Sequence, residues 1–375
     1  MRRNYFFIVI LVIAGLIMAA CGTSETATVP PTDVPEEAAA EPEEAEAEET
    51  ETPEISGPLT ILCGMQEDWC QAAVQAFEAE TGIETSMVRM SSGEALARLQ
   101  AEKGAPSFDV WYGGPSLGPG AAVEDGLIEA YVPENSSFIP EVLKDPNGVW
   151  TGIYVGALGF CSNPEMLAEL GAEAPTSWQD LLDPVYAGNI AIADQRTSGT
   201  AVTAGGTLVA IEGSEDDALT YLSDLDANIF QYTKSGSAPG RMASAGEVAV
   251  AIIFSHDCVK FQLETGVELT VTFPEEGTGY EIGQVSLIAD ANNPEAAKVF
   301  IEWALTAAAQ ELAAPVGSFQ IPTNPDAQVP AEAVKLEDVV LAEGFTPKMV
   351  AEIRGGNFPE RFGAEVRGGE AAPAE

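Results

Sequence analysis

Residues 249–255, AVAIIFS, form an unbroken apolar run that ends on His256 and Asp257. A run this short and this apolar predicts a strand covered on both faces, the kind found in mostly parallel sheets packed between helices. Residues 150–161 (WTGIYVGALGFC) have the same character and stop at Asn163-Pro164. In open α/β sheets, ligands gather beyond the carboxyl ends of the strands. The one histidine of the chain and an adjacent carboxylate therefore stand where a ligand is expected. The competing reading is a His–Asp pair that closes the strand end and meets no ligand.

Around these runs, strands and helices alternate. Residues 58–63 (PLTILC) read as a first strand, and 67–81 as a helix with Ala73 and Phe77 on one face, stopped by Gly82. Residues 84–90 alternate as a second strand. Ser91, with Glu94 three residues on, is a capping box that opens the next helix. Residues 108–112 (FDVWY) predict a third strand, broken at Gly113-Gly114-Pro115. Further strands are expected at 188–194, 228–234, 267–273 and 284–288. Helices are expected from 175 (PTSWQDLL), after Thr197-Ser198-Gly199-Thr200, before Gly246, after Asn293-Pro294 and within 332–363. Ala297, Phe300, Ile301, Ala304 and Leu305 form one apolar stripe, and Asn293-Pro294 suits a helix start. This order is an α/β fold, and roughly 310 residues beyond position 57 suffice for two domains with their own cores.

The N-terminal segment is of another kind. Arg2 and Arg3 precede an apolar stretch from 5 to 18 and two alanines, the layout of a secretory signal peptide over 1–20. The stretch is short of the about 20 residues that span a bilayer. Residues 22–57 hold Glu, Ala, Thr and Pro but no Lys or Arg. They cannot bury enough surface to offset ordering entropy and predict a disordered acidic tether. Extended at about 3.3 Å per residue, it would reach on the order of 100 Å.

The chain carries 59 acidic against 16 basic residues, a formal net charge of −43, and the tether explains only part of it. Such a field argues against nucleic acid and against an anionic membrane face as partners. It also makes each cation beside a Gly- or Ser-rich turn informative: Arg89, Arg196, Lys234 and Arg241. Cys63, Cys70, Cys161 and Cys258 should pair once exported. Three connectivities are open, and the nearness of Cys63 to Cys70 favours joining those two. No CxxC or His/Cys cluster suggests a metal.

Three short loops each precede a helix: Ser91-Ser92-Gly93, Ser198-Gly199-Thr200 and Ser235-Gly236-Ser237. Helix starts offer free N–H groups and a positive dipole end, and small hydroxyl residues let an anion such as phosphate approach. Arg89 and Arg196 would add charge-assisted bonds. Each loop alone is better explained by ordinary capping, but three of them after successive strands are more than capping needs. His256, Asp257 and Glu281 suit neutral polar groups such as sugar hydroxyls, and Trp69 and Trp111 could stack on a sugar face or simply pack. Enzyme motifs are lacking: no GxSxG, HExxH, Walker loop or GxGxxG after a strand. Adjacent residues on an extended strand point to opposite faces, so His256 and Asp257 do not suggest a catalytic relay.

The segments FDVWYGGP, PTSWQDLLDPVYAG, SGT, SGSAPGRMASAGEVAV, FSHD, PEEGTGYEIG and NPEAAKVFIEWAL occur in this order. Together they resemble extracytoplasmic solute-binding proteins of ABC importers, within the cluster of ferric-ion, hexose-phosphate and phosphonate binders. The resemblance spans roughly residues 58 to 325. It implies a type II periplasmic-binding-protein-like fold: two lobes, each a mostly parallel sheet flanked by helices, with two hinge crossings near 153–161 and 252–258. The implied division is a first lobe over 58–156 and 257–318 and a second over 157–256. C-terminal helices (319–367) would lie on the second lobe, with a disordered tail at 368–375. Cys161 and Cys258 would then sit on neighbouring hinge strands and pair. Met18-Ala19-Ala20-Cys21 resembles a lipobox, which implies an acylated Cys21 and a monomer lipid-anchored on the extracytoplasmic face, before a tether over 21–57. The resemblance implies no enzyme activity and no cofactor. The implied partners are a small anionic solute and a membrane permease. The expected ligand set is Arg89, Ser92, Ser198, Gly199, Thr200, Ser235, Ser237, His256, Asp257 and Glu281. A phosphorylated sugar is favoured, then an organophosphonate. Ferric ion is the alternative, but Ser235-Gly236-Ser237 stands about where ferric binders carry paired tyrosines.

Overall fold

The computed structural model describes residues 57–115 and 117–374. The expected signal peptide, Cys21 and all but the last residue of the tether lie outside them. In chain order the first elements are β1 (Leu59–Cys63), α1 (Glu67–Thr81), β2 (Thr85–Arg89), α2 (Ser92–Ala101), β3 (Val110–Pro115), α3 (Leu117–Glu124), β4 (Ile128–Glu129) and β5 (Thr151–Ser162). Next come α4 (Pro164–Leu170), β6 (Ile190–Ala193), α5 (Gly199–Glu212), α6 (Glu215–Asp226), β7 (Ile229–Thr233), α7 (Ala238–Ser244), β8 (Val250–Phe254) and α8 (Ser255–Thr265). The last are β9 (Thr270–Thr272), β10 (Tyr280–Ile288), α9 (Pro294–Ala304), α10 (Ala307–Gln310), β11 (Ile321–Pro322), α11 (Pro347–Gly355) and α12 (Phe358–Arg361).

The fold is two-lobed α/β. One lobe is built on the parallel block β2-β1-β3, the other on the parallel block β8-β6-β7. Between them run β10 and β5, antiparallel to their neighbours, so each lobe keeps its parallel block while the connecting strands make the whole sheet mixed. β5 joins the lobes. Its first half pairs with β10 and β11, its second half with β8 and β9, and all twelve of its residues are buried. That explains why its sequence is apolar from end to end. β8 is buried throughout, as its apolar run predicts. Each large side chain buried there contributes about 1.5–3 kcal/mol. Trp69, Phe77 and Phe300 centre the core of the first lobe, and Phe160, Trp178 and Phe254 that of the second.

The structure corrects several expectations. β3 does not break at the glycines but continues through Gly113, Gly114 and Pro115; Gly113 and Gly114 have φ of +80° and +81°. The strand before His256 stops at Phe254, and Ser255 already begins α8. From there the buried residues fall at helical spacing, Cys258 and then Phe261, so the chain turns into a helix over the second sheet. His256 and Asp257 thus share a first helical turn, both buried, instead of pointing to opposite sides of a strand. Because α8 and β9 stay with the second sheet, the chain rejoins the first sheet only at β10, later than the crossing expected at 252–258. α11 packs against α3 of the first lobe as well as α5 of the second. The helix expected from 175 is only a 3-10 turn at Gln179–Leu182.

Both disulfides form, Cys63–Cys70 and Cys161–Cys258. Cys161 lies on β5, but Cys258 is on α8 rather than on a second strand. The second bridge spans 97 residues. A loop of about 100 residues is stabilised by about 4.7 kcal/mol in the chain-entropy account.

Candidate functional site

Two helices begin at the junction of the lobes. α2 opens on Ser91 with the expected capping box: Ser91 N and Oγ both donate to Glu94 Oε2, at 3.1 and 2.9 Å. α5 opens on Ser198, whose Oγ accepts from Ala201 N at 3.3 Å. The two starts meet. A methyl on Gly199 would lie 2.7 Å from Ser92 Oγ, and Gly93 N donates to Thr197 O at 3.0 Å. Ser92, Ser198, Gly199 and Thr200 line one cavity together with Arg89, Gly236 and Ser237. Positive helix ends and hydroxyl donors therefore converge on one space, which suits an anion.

Arg89 at the end of β2 completes this region. Its Nε donates to Met65 O at 3.3 Å and its Nη2 to Ser235 Oγ at 3.4 Å. Ser235 itself stands outside the inner wall; its hydroxyl is 3.4 Å from that of Ser237, which lines the cavity.

At the other end of the same cavity lie His256, Asp257 and Glu281, each 4 % exposed. His256 Nε2 is 3.5 Å from Glu281 Oε1 and 4.0 Å from Asp257 Oδ2. Phe254 stacks on the imidazole with ring centroids 5.6 Å apart. Nδ1 has no hydrogen-bond partner among the described residues. Gly156 on β5 makes room for the ring, since a Cβ there would fall 2.6 Å from Nδ1. Burial holds the imidazole below its ordinary pKa, although Asp257 pulls the other way. Burial, with Asp257 adding to it, lifts Glu281 well above the usual carboxylate range. Both groups thus favour their neutral forms, which donate and accept rather than present fixed charge. Asp257 Oδ1 accepts from Gln66 Nε2 at 2.8 Å, and Gln66 Oε1 accepts from Gln320 Nε2 at 2.7 Å.

The cavity measures about 60 Å³. That is more than the about 10–15 Å³ needed to hold an ordered water. The lobes are tied across it by Lys234–Glu94 at 2.7 Å and Lys260–Asp68 at 3.2 Å, besides the Gln66–Asp257 bond.

Most of the expected site residues share this cavity, but Ser235, Arg196, Trp69 and Trp111 do not line it. Arg196 does not reach the cavity; its Nη2 pairs with Asp194 Oδ2 at 2.7 Å and its Nη1 donates to Glu370 O at 2.6 Å. Trp69 and Trp111 are 1 % exposed in the core and stack on nothing in the cleft. Gln66, Tyr154 and Gly156 were not singled out. Tyr154 lines the cavity, and its hydroxyl accepts from Gly114 N at 3.1 Å. Only Gly156 left a signal, a glycine inside a strand, which marks close approach of another group.

The family model for bacterial extracellular solute-binding proteins matches residues 72–339. A Haemophilus influenzae protein is 40% identical over 278 residues, 72% of this chain and 80% of that one. A Salmonella typhimurium protein with the provisional name 2-aminoethylphosphonate-binding periplasmic protein is 31% identical over 188 residues, 49% of this chain and 52% of that one. Among solved structures, the periplasmic binding protein AfuA from Actinobacillus pleuropneumoniae, with fructose-6-phosphate bound, aligns at a TM-score of 0.79 and 38% identity. That alignment covers 83% of this chain and 99% of AfuA.

Proposed function

Because the chain belongs to the family of bacterial extracellular solute-binding proteins, and so serves as the solute-binding component of an ABC importer, we propose that its cargo is a small anionic organic solute, a phosphorylated sugar first and an organophosphonate second. The observation that carries this reading is the pairing of two unlike ends in one cavity. Paired helix starts with Arg89 stand at one end, and His256, Asp257 and Glu281 stand buried at the other. Arg89, Ser92, Ser198, Gly199 and Thr200 hold the anionic head, with Ser235 and Ser237 steadying Arg89. His256, Asp257 and Glu281 read the polar body. The unpartnered Nδ1 of His256 is a natural partner for a ligand hydroxyl. Binding is reversible, and no bond is made or broken. The protein acts as a monomer, held to the outer face of the membrane by an acylated Cys21 and its tether. The lobes close on the cargo about β5 and deliver it to the permease.

A thermal-shift screen of fructose 6-phosphate, 2-aminoethylphosphonate, inorganic phosphate, fructose and a ferric salt tests this. A ligand at a hundred times its dissociation constant adds roughly 2.7 kcal/mol of stability. The phosphate ester should raise Tm most. A melt moved only by fructose or by the ferric salt would reject the reading.

A further inference from the structure

Arg354 on α11 is 9 % exposed. Its Nη1 donates to Gln195 O at 3.0 Å, and no carboxylate among the described residues forms an ion pair with it. That is unusual in a chain with 59 acidic and 16 basic residues. A buried cation without a close ion-pair partner is costly, so its retention asks for an explanation. Burial lowers this guanidinium to about 10, partly offset by the charge of Glu360, which lines the same surface pocket.

The position of Arg354 supplies the explanation. Its Nη2 lies against the place where residue 93 would carry a Cβ, which Gly93 lacks; a Cβ there would also fall 2.8 Å from Thr197 O and 2.9 Å from Arg196 O. Gly93 follows Ser92 at the start of α2, and Thr197 precedes Ser198 at the start of α5. The two loops whose front faces line the cavity thus have one guanidinium at their backs. Arg196, the cation expected there, is consumed by Asp194.

We infer that Arg354 is a specificity-determining positioning residue, whose charge behind the paired starts of α2 and α5 favours a dianionic over a monoanionic head group. This rests on the anionic-cargo reading. Coulomb energy scales with the ligand's charge, so the logarithm of the affinity gained from one fixed cation doubles from monoanion to dianion. At pH 7.5 a phosphate monoester carries close to two negative charges and a sulfate ester one.

The test is calorimetric titration of fructose 6-phosphate and fructose 6-sulfate at pH 7.5. Arg354→Gln should weaken the phosphate ester about tenfold and the sulfate ester about threefold, so that their affinity ratio falls about threefold. Arg354→Lys should keep that ratio. Equal losses for both esters in Arg354→Gln, or loss of the ratio in Arg354→Lys, would mean that Arg354 only supports the loops, and would overturn the inference. If Arg354→Gln does not fold, the exposed Glu360→Gln carries the test: it should raise the ratio by up to about twofold, and an unchanged ratio counts against the inference. Wild-type protein that binds neither ester overturns the cargo reading, and this inference with it. A wild type that binds both without the expected change in the variants overturns only the inference.

Discussion

At one end of the cleft the polar groups belong to the starts of α2 and α5; at the other they are side chains buried to 4 % exposure on α8 and β10. The first end is fixed by backbone. Ser91 and Ser198 are there because helices need caps, and the same starts bring Ser92, Gly199 and Thr200 to the cavity wall. The second end is fixed by packing. His256 is wedged between Phe254 and Gly156, and burial lowers its pKa and raises that of Glu281. The difference teaches that the ends should fail in different ways: the backbone-built end to charge, the packed end to volume.

The largest expected effect comes from placing the wrong charge at the helix starts. Aspartate caps a helix about as well as serine, so Ser198→Asp should lower Tm only by the cost of placing a charge at this buried position. It should nevertheless weaken fructose 6-phosphate by at least about a hundredfold, because a like charge faces the head group. A large drop in Tm with intact affinity would show Ser198 to be a cap only. At the packed end, Gly156→Ala forces a methyl against His256 Nδ1. Overpacking should lower stability by about 1–3 kcal/mol, seen as a lower Tm, and displacing the imidazole should weaken binding by calorimetry with the helix starts undisturbed. If Gly156→Ala binds as the wild type does, His256 is not a ligand reader. Asp257→Ala should cost about tenfold, partly through the lost Gln66 bond, without unfolding the protein.

The smallest effect at neutral pH is that of Glu281→Gln, within about threefold in affinity, but it should change the pH profile of stability. Glu281's raised pKa lets the folded state keep a proton that the unfolded chain releases above its ordinary value of 4.5. Its contribution is therefore full at acid pH and lost as pH rises through the folded value. His256's lowered pKa acts the other way. Below its ordinary 6.5 the unfolded chain takes a proton that the folded protein refuses, so stability falls on the acid side. Glu281→Gln should flatten the decline of Tm above about pH 5 and leave the acid-side fall in place. Parallel profiles for variant and wild type would mean that Glu281 is ionised in the fold.

The two ends were also unequally legible in the sequence. The caps could be read because Ser91 with Glu94, and Ser198 before Gly199-Thr200, are local patterns with a local cause. The apolar runs gave β5 and β8 for the same reason. The packed end was legible only as a list of residues. Whether His256 and Asp257 extend a strand or open a helix depends on Cys258 and Phe261 packing over the second sheet, which is a tertiary matter. Arg196 and Arg354 show the limit most clearly. The arginine nearest the loop in sequence is turned away by Asp194, and one more than 150 positions away stands behind it.

The central claim is that the helix-start end binds a charged head group and supplies most of the affinity. Calorimetric titration of wild-type protein with fructose 6-phosphate and then with fructose tests it directly. With two or more charge-assisted bonds at about 1.5–3 kcal/mol each, the phosphate ester should bind at least about a hundredfold tighter than the sugar. Equal affinity for the two would contradict the account.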